Sequence, residues 1–447
     1  MKPIVDFIHE LKFDMLPAEV VEQASLCLLD LTGVALAGRG TRLGRIMGDF
    51  VCCQYPGEVP LLFDGRRASA CGAALYGATL IDSIDAHDGQ VLTKGHVGVA
   101  ILPGLLALAR ERELSGAELL TCLVVGYEIA TRAGIALHAS AADYHTSGAW
   151  NCLGVAAVAA RLLRLDAAQT AEALGTAEFH GPRSQMMRCI DHPTMLKDGS
   201  GWGALAGVSA ALLARAGFTG APALTLSDAT LAPIWADLGR RWYLLEQYFK
   251  PYPVCRWAQP AVEAVRQLRR APGFTLGAIR EIHIHSFHEA TRLHTRHPTT
   301  TEQAQYSLPF AVSSALLDDG LSVQAIAETG AGLRNPLRRW LSERVFCHEE
   351  AGYNRLFPAE RWAHARILFE DGSALTSAAA VARGNPENPL EREELLGKFD
   401  LLAAPWLSDT HRLGLRRQIL QLAELDNAGL AGLLDDLSRS ACGHEGE

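Results

Sequence analysis

The stretch from Asp82 to Gly98 constrains this chain most. It holds Asp82, Asp85, His87, Asp88, Lys94 and His96 between two apolar runs, Ala73 to Ile81 and Ile101 to Ala109. Apolar runs of that kind read as buried helix. An ionisable loop between two buried helices is costly unless its groups are paired or used. The expectation is a helical framework that buries both flanks and turns the loop toward an internal active site.

The rest of the first 270 residues fits such a framework. Residues 16 to 37 space their apolar positions three and four apart, with Pro17 in the first turn and Gly38 as a stop. Residues 42 to 53 read as an amphipathic helix. Ser115 to Glu118 is a capping-box pattern for a helix to about Leu137, and Asp166 suits the cap of another to about Glu178. Leu153 to Leu163 and Gly203 to Ala216 are Ala-rich helices. Pro260 suits the first turn of one running to Leu268.

The pattern changes after a linker-like Pro272 to Gly277. Ile279 to His288 alternates as a strand, with Ile282 and Ile284 on one face and His283 and His285 on the other. Ala365 to Thr376 reads as a hairpin about Asp371 and Gly372. Helices are expected over 304 to 317, 323 to 329, 392 to 401 and 411 to 437, and Glu391 to Lys398 reads as a solvated face. The fold class is therefore mainly α. Residues 1–272 form a large all-α domain, 273–390 a smaller α+β domain, and 391–447 helices packing back on the first.

A chain of 447 residues, 49% hydrophobic and 20% charged, can bury a large core. A net charge of −9 without a long basic run argues against a nucleic-acid partner. No secretory signal is visible, and the apolar segments break before the roughly 20 residues of a membrane span. A cytoplasmic protein without a membrane partner is expected. The ten cysteines are scattered without a Cys-x-x-Cys pair, so neither disulfides nor a cysteine zinc site is expected. Only six lysines occur, and Lys94, Lys197 and Lys250 all fall in polar clusters.

Four such clusters interrupt the helices. The first is the opening loop. The second surrounds His145. The third carries Arg183, Arg188, His192 and Lys197. The fourth is Lys250-Pro-Tyr252-Pro-Val-Cys255-Arg256. Carboxylate and imidazole groups can take a proton from carbon and return one to a leaving group. Arginine and lysine can hold carboxylates and the charge that develops on them. The blander readings are satisfied polar histidines, surface arginines, and Asp143 and Asp191 as helix caps. Asp85, His87, Asp88 and His96 could ligate a metal, but no His-x-x-x-His or Cys spacing supports that. No phosphate loop is present.

The ordered set of motifs resembles the MmgE/PrpD family, which includes 2-methylcitrate dehydratase and cis-aconitate decarboxylase. It comprises Asp82-Ser-Ile-Asp85-Ala-His87-Asp88, Gly95-His96 through Pro103, His145-Thr-Ser-Gly148, Leu165 to Gly175, Ala216 to Gly220, Met195-Leu-Lys197, Lys250 to Arg256 and Ala304 to Phe310. The resemblance implies a large all-α domain, a smaller lid-like α+β domain, a homodimer, and a cofactor-independent lyase for a small di- or tricarboxylic acid. It carries Asp85, His96, His145 and Lys197 over as catalytic positions. His87, Asp88, Arg183, Arg188, Lys250, Tyr252, Cys255, Arg256 and Tyr306 are the expected substrate-binding residues.

The chain departs from the family pattern at Asp82, His87, Gly89, Val97 and Cys255. Dehydration of the 2-methylcitrate dehydratase type is the leading expectation. Decarboxylation, epimerisation, and a non-catalytic binding protein on the same fold are the alternatives.

Overall fold

The computed structural model describes residues 1–329 and 331–441. The helical domain is built around the helix Gly148–Leu162, every residue of which is buried. It packs against the helices Gly98–Leu108, Gly116–Ser140, Ala167–His180 and Ser200–Arg215. Small residues set these approaches. A Cβ on Gly154 would stand 2.5 Å from the Gly126 carbonyl oxygen, so the two backbones touch there.

The helix ends follow the capping chemistry. Asp166 and Gln169 cap each other's backbone reciprocally. Ser115 Oγ accepts from Glu118 N at 3.2 Å, but the Glu118 carboxylate turns to Arg112 and Arg161, so only half of that box forms. Two helices, Ala18–Gly38 and Gly116–Ser140, are long and apolar enough to cross a membrane, contrary to the expectation that all such runs break early. Both are mostly buried within the molecule.

The smaller domain carries a five-stranded mixed sheet. Ile279–Ser286 runs parallel to Val345–Glu349 and antiparallel to Trp362–Phe369, which pairs with Ala374–Thr376 and Ala380–Val381. Ile282 and Ile284 face the core, where the helix Gln259–Arg269 covers the sheet. His285 lies between His348 and His364 on the other face, the rings stacked at 4.8 and 4.5 Å. The strand Val345–Glu349 was not anticipated from its sequence.

Two further differences bear on the site. The helix expected over 304 to 317 is two, Thr301–Gln305 and Leu308–Asp318. Ser307 restarts the second by accepting from Phe310 N at 3.0 Å, with Pro309 in the first turn. The Glu391 to Lys398 segment is not simply a solvated face. Its helix, Arg392–Ala403, packs on Ala18–Gly38. Lys398 Nζ donates at 2.6 Å to Asp30 Oδ1 and to the Ala86 carbonyl. Cys442 lies outside the described residues.

Candidate active site

The opening loop lies at the centre of a buried ionic cluster. Asp85 and Lys197 both have φ of 51°, and Lys94 has 53°. A left-handed non-glycine residue costs about 1–2 kcal/mol, and such strain gathers at functional sites. Gly89–Gln90 pairs antiparallel with Gln247–Tyr248, which joins the loop to the Lys250 segment. A Cβ on Gly89 would stand 2.4 Å from Tyr248 Cζ, so this position requires glycine for the tyrosine ring to lie where it does.

Lys250 Nζ sits 2.6 Å from Asp85 Oδ1 and donates to the Asp85 carbonyl oxygen at 3.0 Å. Burial alone would raise the Asp85 carboxyl, but Lys250 and Lys197 outweigh it and hold it below its usual range. Lys197 arrives from the third cluster. Its ammonium donates to Gln305 Oε1 and stands 4.7 Å from the centre of the Tyr306 ring. Gln305 Nε2 donates back to the Ser83 carbonyl at 2.9 Å, so the break between the two helices places Gln305 and Tyr306 against the loop.

His96 is fixed in one tautomer. Its Nδ1 lies 2.7 Å from the Asp88 carbonyl oxygen, which can only accept. Nδ1 therefore carries the hydrogen, and Nε2, 4.0 Å from Asp85 Oδ1, presents its lone pair. Burial, then the charge of Lys250, lowers the imidazole to about 3. His87 is fully buried and held neutral chiefly by burial, next by His96, whose ring centre is 4.4 Å away. Neither of its nitrogens has a protein hydrogen-bond partner.

Protons are stored on the carboxyls. Asp198 N donates to Asp82 Oδ2 at 3.3 Å, and Ser147 Oγ donates to Asp198 Oδ2. Ser147 Oγ in turn accepts from His96 N at 2.8 Å. Burial raises both Asp82 and Asp198, and the negative charge of Asp82 raises Asp198 further, so the pair retains a proton at neutral pH. Asp88, raised by burial to about 7, accepts from Tyr127 Oη at 2.6 Å.

The expected residues divide. Asp85, His87, Asp88, His96, Lys197, Lys250 and Tyr306 come together. Cys255 joins them through its backbone, with N donating to Gln305 O at 2.8 Å, while burial pushes its thiol up to about 12. Arg256 is buried but committed to the protein. It donates to Gln259 Oε1 and Arg383 O at 2.7 Å and to Asn385, and lies over the Tyr248 ring at 4.4 Å. It supports Tyr248 rather than facing a ligand. Tyr252 is likewise taken, by Glu263 at 2.9 Å and Arg266 at 2.6 Å.

The His145 side chain forms no hydrogen bond with the cluster among the described residues, and its Nδ1 is buried without a partner. Its backbone N donates to His138 Nε2 at 3.3 Å and its strand-like pairing is with Gln185. Arg183 and Arg188 are exposed. Asp191 pairs with Arg292, and Asp143 accepts from Gln185, so neither caps a helix. Ser147, Asp198, Tyr248, Gln305 and Arg361 belong to the site neighbourhood and were not singled out, and Asp82 was named in the loop without a site role. Asp198 and Gln305 stand beside Lys197 and Tyr306 in the sequence, a local signal that could have found them.

Ligand atoms of Asp85, His87 and His96 lie within 4.8 Å of one another. A divalent cation there would meet the Lys250 ammonium already bound to Asp85, with Lys197 also acting on it. Two lysines beside neutral imidazoles favour an anion over a cation at this place.

The family profile for the MmgE/PrpD N-terminal domain matches residues 2–232, and that for the MmgE/PrpD C-terminal domain matches residues 252–422. The chain is 23% identical over 451 residues to a cis-aconitate decarboxylase of Aspergillus terreus, covering 90% of this chain and 88% of that one. It is 25% identical over 241 residues to the cis-aconitate decarboxylase-like protein oryM of Aspergillus oryzae, covering 48% and 47%. With both domains matched in order across most of its length, the chain belongs to the MmgE/PrpD family.

Proposed function

We propose that this protein is a cofactor-independent lyase for a small di- or tricarboxylic acid. It removes a proton from carbon beside a carboxylate and expels a hydroxyl group as water. One observation carries the reading. Around Lys197 and Lys250, Asp82 Oδ1, Asp85 Oδ2, Asp198 Oδ1 and both His87 nitrogens are buried without a hydrogen-bond partner among the described residues. Each such group costs about 1–3 kcal/mol. A ligand hydroxyl can donate to such an oxygen, and a ligand carboxylate can accept from the His87 N–H and from the proton that Asp82 and Asp198 retain.

Lys197, hydrogen-bonded only to a neutral amide, takes the carboxylate next to the reacting carbon and stabilises the charge that develops there. His96 Nε2 accepts the carbon proton. Burial and then the nearby lysines depress its basicity, and the negative charge of a bound polycarboxylate offsets the field of the lysines. Asp85 faces the imidazolium that forms. The proton held by Asp82 and Asp198 passes to the departing hydroxyl as the carbon–oxygen bond breaks, leaving an alkene and water.

Decarboxylation is the second reading, favoured by the relatives named as cis-aconitate decarboxylases. There the carbon–carboxylate bond breaks and the stored proton goes to carbon. Incubation with 2-methylcitrate, citrate and cis-aconitate separates the two. Alkene absorbance rising from a hydroxy acid supports dehydration, and carbon dioxide release from the unsaturated acid supports decarboxylation. A folded protein that turns over none of them is not a lyase of this kind. The reading includes a homodimer, checked by light scattering on the purified protein.

A further inference from the structure

Two cations beside the cluster form no ion pair with a carboxylate among the described residues, and they come from different domains. Arg361 directly precedes the strand Trp362–Phe369 and is half-buried. Its Nε is enclosed without a hydrogen-bond partner, and its side chain forms no ion pair or hydrogen bond with any described residue. Lys94 belongs to the opening loop. Tyr144 Oη donates to the Lys94 carbonyl, and the Lys94 ammonium stands 5.2 Å from the centre of the Tyr144 ring. No ion pair holds that ammonium among the described residues.

Both charges bear on the same side of the cluster. Arg361 is near enough for its charge to act on Lys94, Tyr144, Tyr248, Cys255 and Arg256. Tyr248 links this group to the reacting centre, its ring 6.3 Å from that of His96. This is also where the cluster is least enclosed. The His96 side chain is 11% exposed, against 3% for Asp85 and none for Lys250 and His87. Burial and then Arg361 lower the Lys94 ammonium, and Glu289 opposes them. Like charges held near one another are unfavourable. A guanidinium fork beside an ammonium matches a carboxylate.

The geometry points to a second carboxylate subsite formed by Arg361 and Lys94 at the mouth of the cavity, bridging the two domains. This rests on the polycarboxylate reading of the Lys197 pocket and narrows it. The substrate carries one carboxylate at Lys197 and another, remote from the reacting carbon, at Arg361 and Lys94. A substrate with a single carboxylate leaves the mouth unbridged.

Titration calorimetry with tricarballylate, a tricarboxylate lacking the hydroxyl, tests this without requiring turnover. Butyrate serves as the single-carboxylate comparison. Wild type is expected to bind tricarballylate. Arg361→Met and Lys94→Met should each weaken that binding at least about ten-fold, the loss of one charge-assisted contact. Arg361→Lys should recover part of it, and thermal melts should show all variants folded. Unchanged tricarballylate affinity in a folded Arg361→Met overturns the subsite and leaves the lyase reading intact. Equal weakening for tricarballylate and butyrate also overturns the subsite. Weakened binding confined to tricarballylate, in a wild type that turns over no hydroxy or unsaturated acid, supports the subsite and overturns the lyase reading. No tricarballylate binding by wild type overturns both.

Discussion

Lys250 Nζ holds Asp85 at two points, 2.6 Å from Oδ1 and 3.0 Å from the carbonyl oxygen of the same residue. One ammonium therefore neutralises a buried carboxylate and pins a left-handed backbone. Lys250→Met leaves the carboxylate buried and unpaired, and is expected to lower unfolding free energy by about 3–5 kcal/mol in urea titrations. Adding Asp85→Asn should restore part of the loss. A single-variant cost below about 1 kcal/mol is the behaviour of a solvent-screened pair and would contradict the burial argument.

Lys197 makes a different prediction because its partner is neutral. Lys197→Met keeps much of the side-chain bulk and breaks no direct ion pair, because Asp85 keeps Lys250 and Asp82 can keep a proton. Turnover of the polycarboxylate substrate should fall at least about 100-fold, the equivalent of some 3 kcal/mol of transition-state stabilisation. The loss should be clear in kcat while the melting temperature changes little. An active Lys197→Met protein would remove this residue from the chemistry.

The shared proton of Asp82 and Asp198 sets a pH dependence. Both carboxyls are raised, so the acid is charged with its proton at neutral pH and loses it on the alkaline side. Dehydration should therefore decline as pH rises above neutrality. Asp198→Asn should lower kcat and flatten that limb. Persistence of the same limb in the variant would assign it to another group.

Asp88 gives a stability prediction of definite sign. Its folded value of about 7 lies above the usual 3.8, so the folded state binds its proton more tightly. That contribution is full below about pH 4 and is lost as pH rises toward 7. Asp88→Asn should make stability less dependent on pH across this window. Urea titrations at several pH values check it, and an unchanged slope would show that Asp88 does not carry the linkage.

Gly89 tests the packing of the mouth. Gly89→Ala drives a methyl into Tyr248, where overpacking costs about 1–3 kcal/mol unless the ring moves. Displacement of the ring should raise KM for the polycarboxylate. Gly89→Ala kinetics matching wild type would show that Tyr248 does not help to shape the mouth.

Much of the framework was legible because helix signals are local. Pro17, Asp166 and Pro260 mark helix starts where the structure has them, and the alternation of Ile282 with His283 marks a strand. The strand Val345–Glu349 was not visible. Its Phe346 and His348 belong to a sheet face whose character comes from the neighbouring strands. In the site, the ionisable loop announced itself through its own composition. Gln305 and Asp198 were hinted at only by their neighbours Tyr306 and Lys197, and Ser147 not at all, because neutral or common polar residues show their role through contacts across the fold. Arg256 misled for the same reason: a cation in a polar motif looks free until Gln259, Arg383 and Asn385 are seen to occupy it.

The Lys398 tether sets an order of assembly. Asp30 and the Ala86 carbonyl are among the earliest parts of the site's surroundings to be synthesised, and their shared partner is among the last. A chain emerging from the ribosome can form the Ala18–Gly38 helix and the ionisable loop long before residue 398 exists. Until then the Asp30 carboxylate lacks its counter-charge, and one side of the loop lacks its brace. Bracing of the loop thus waits on the Arg392–Ala403 helix, which must be made and docked before this side of the site is complete.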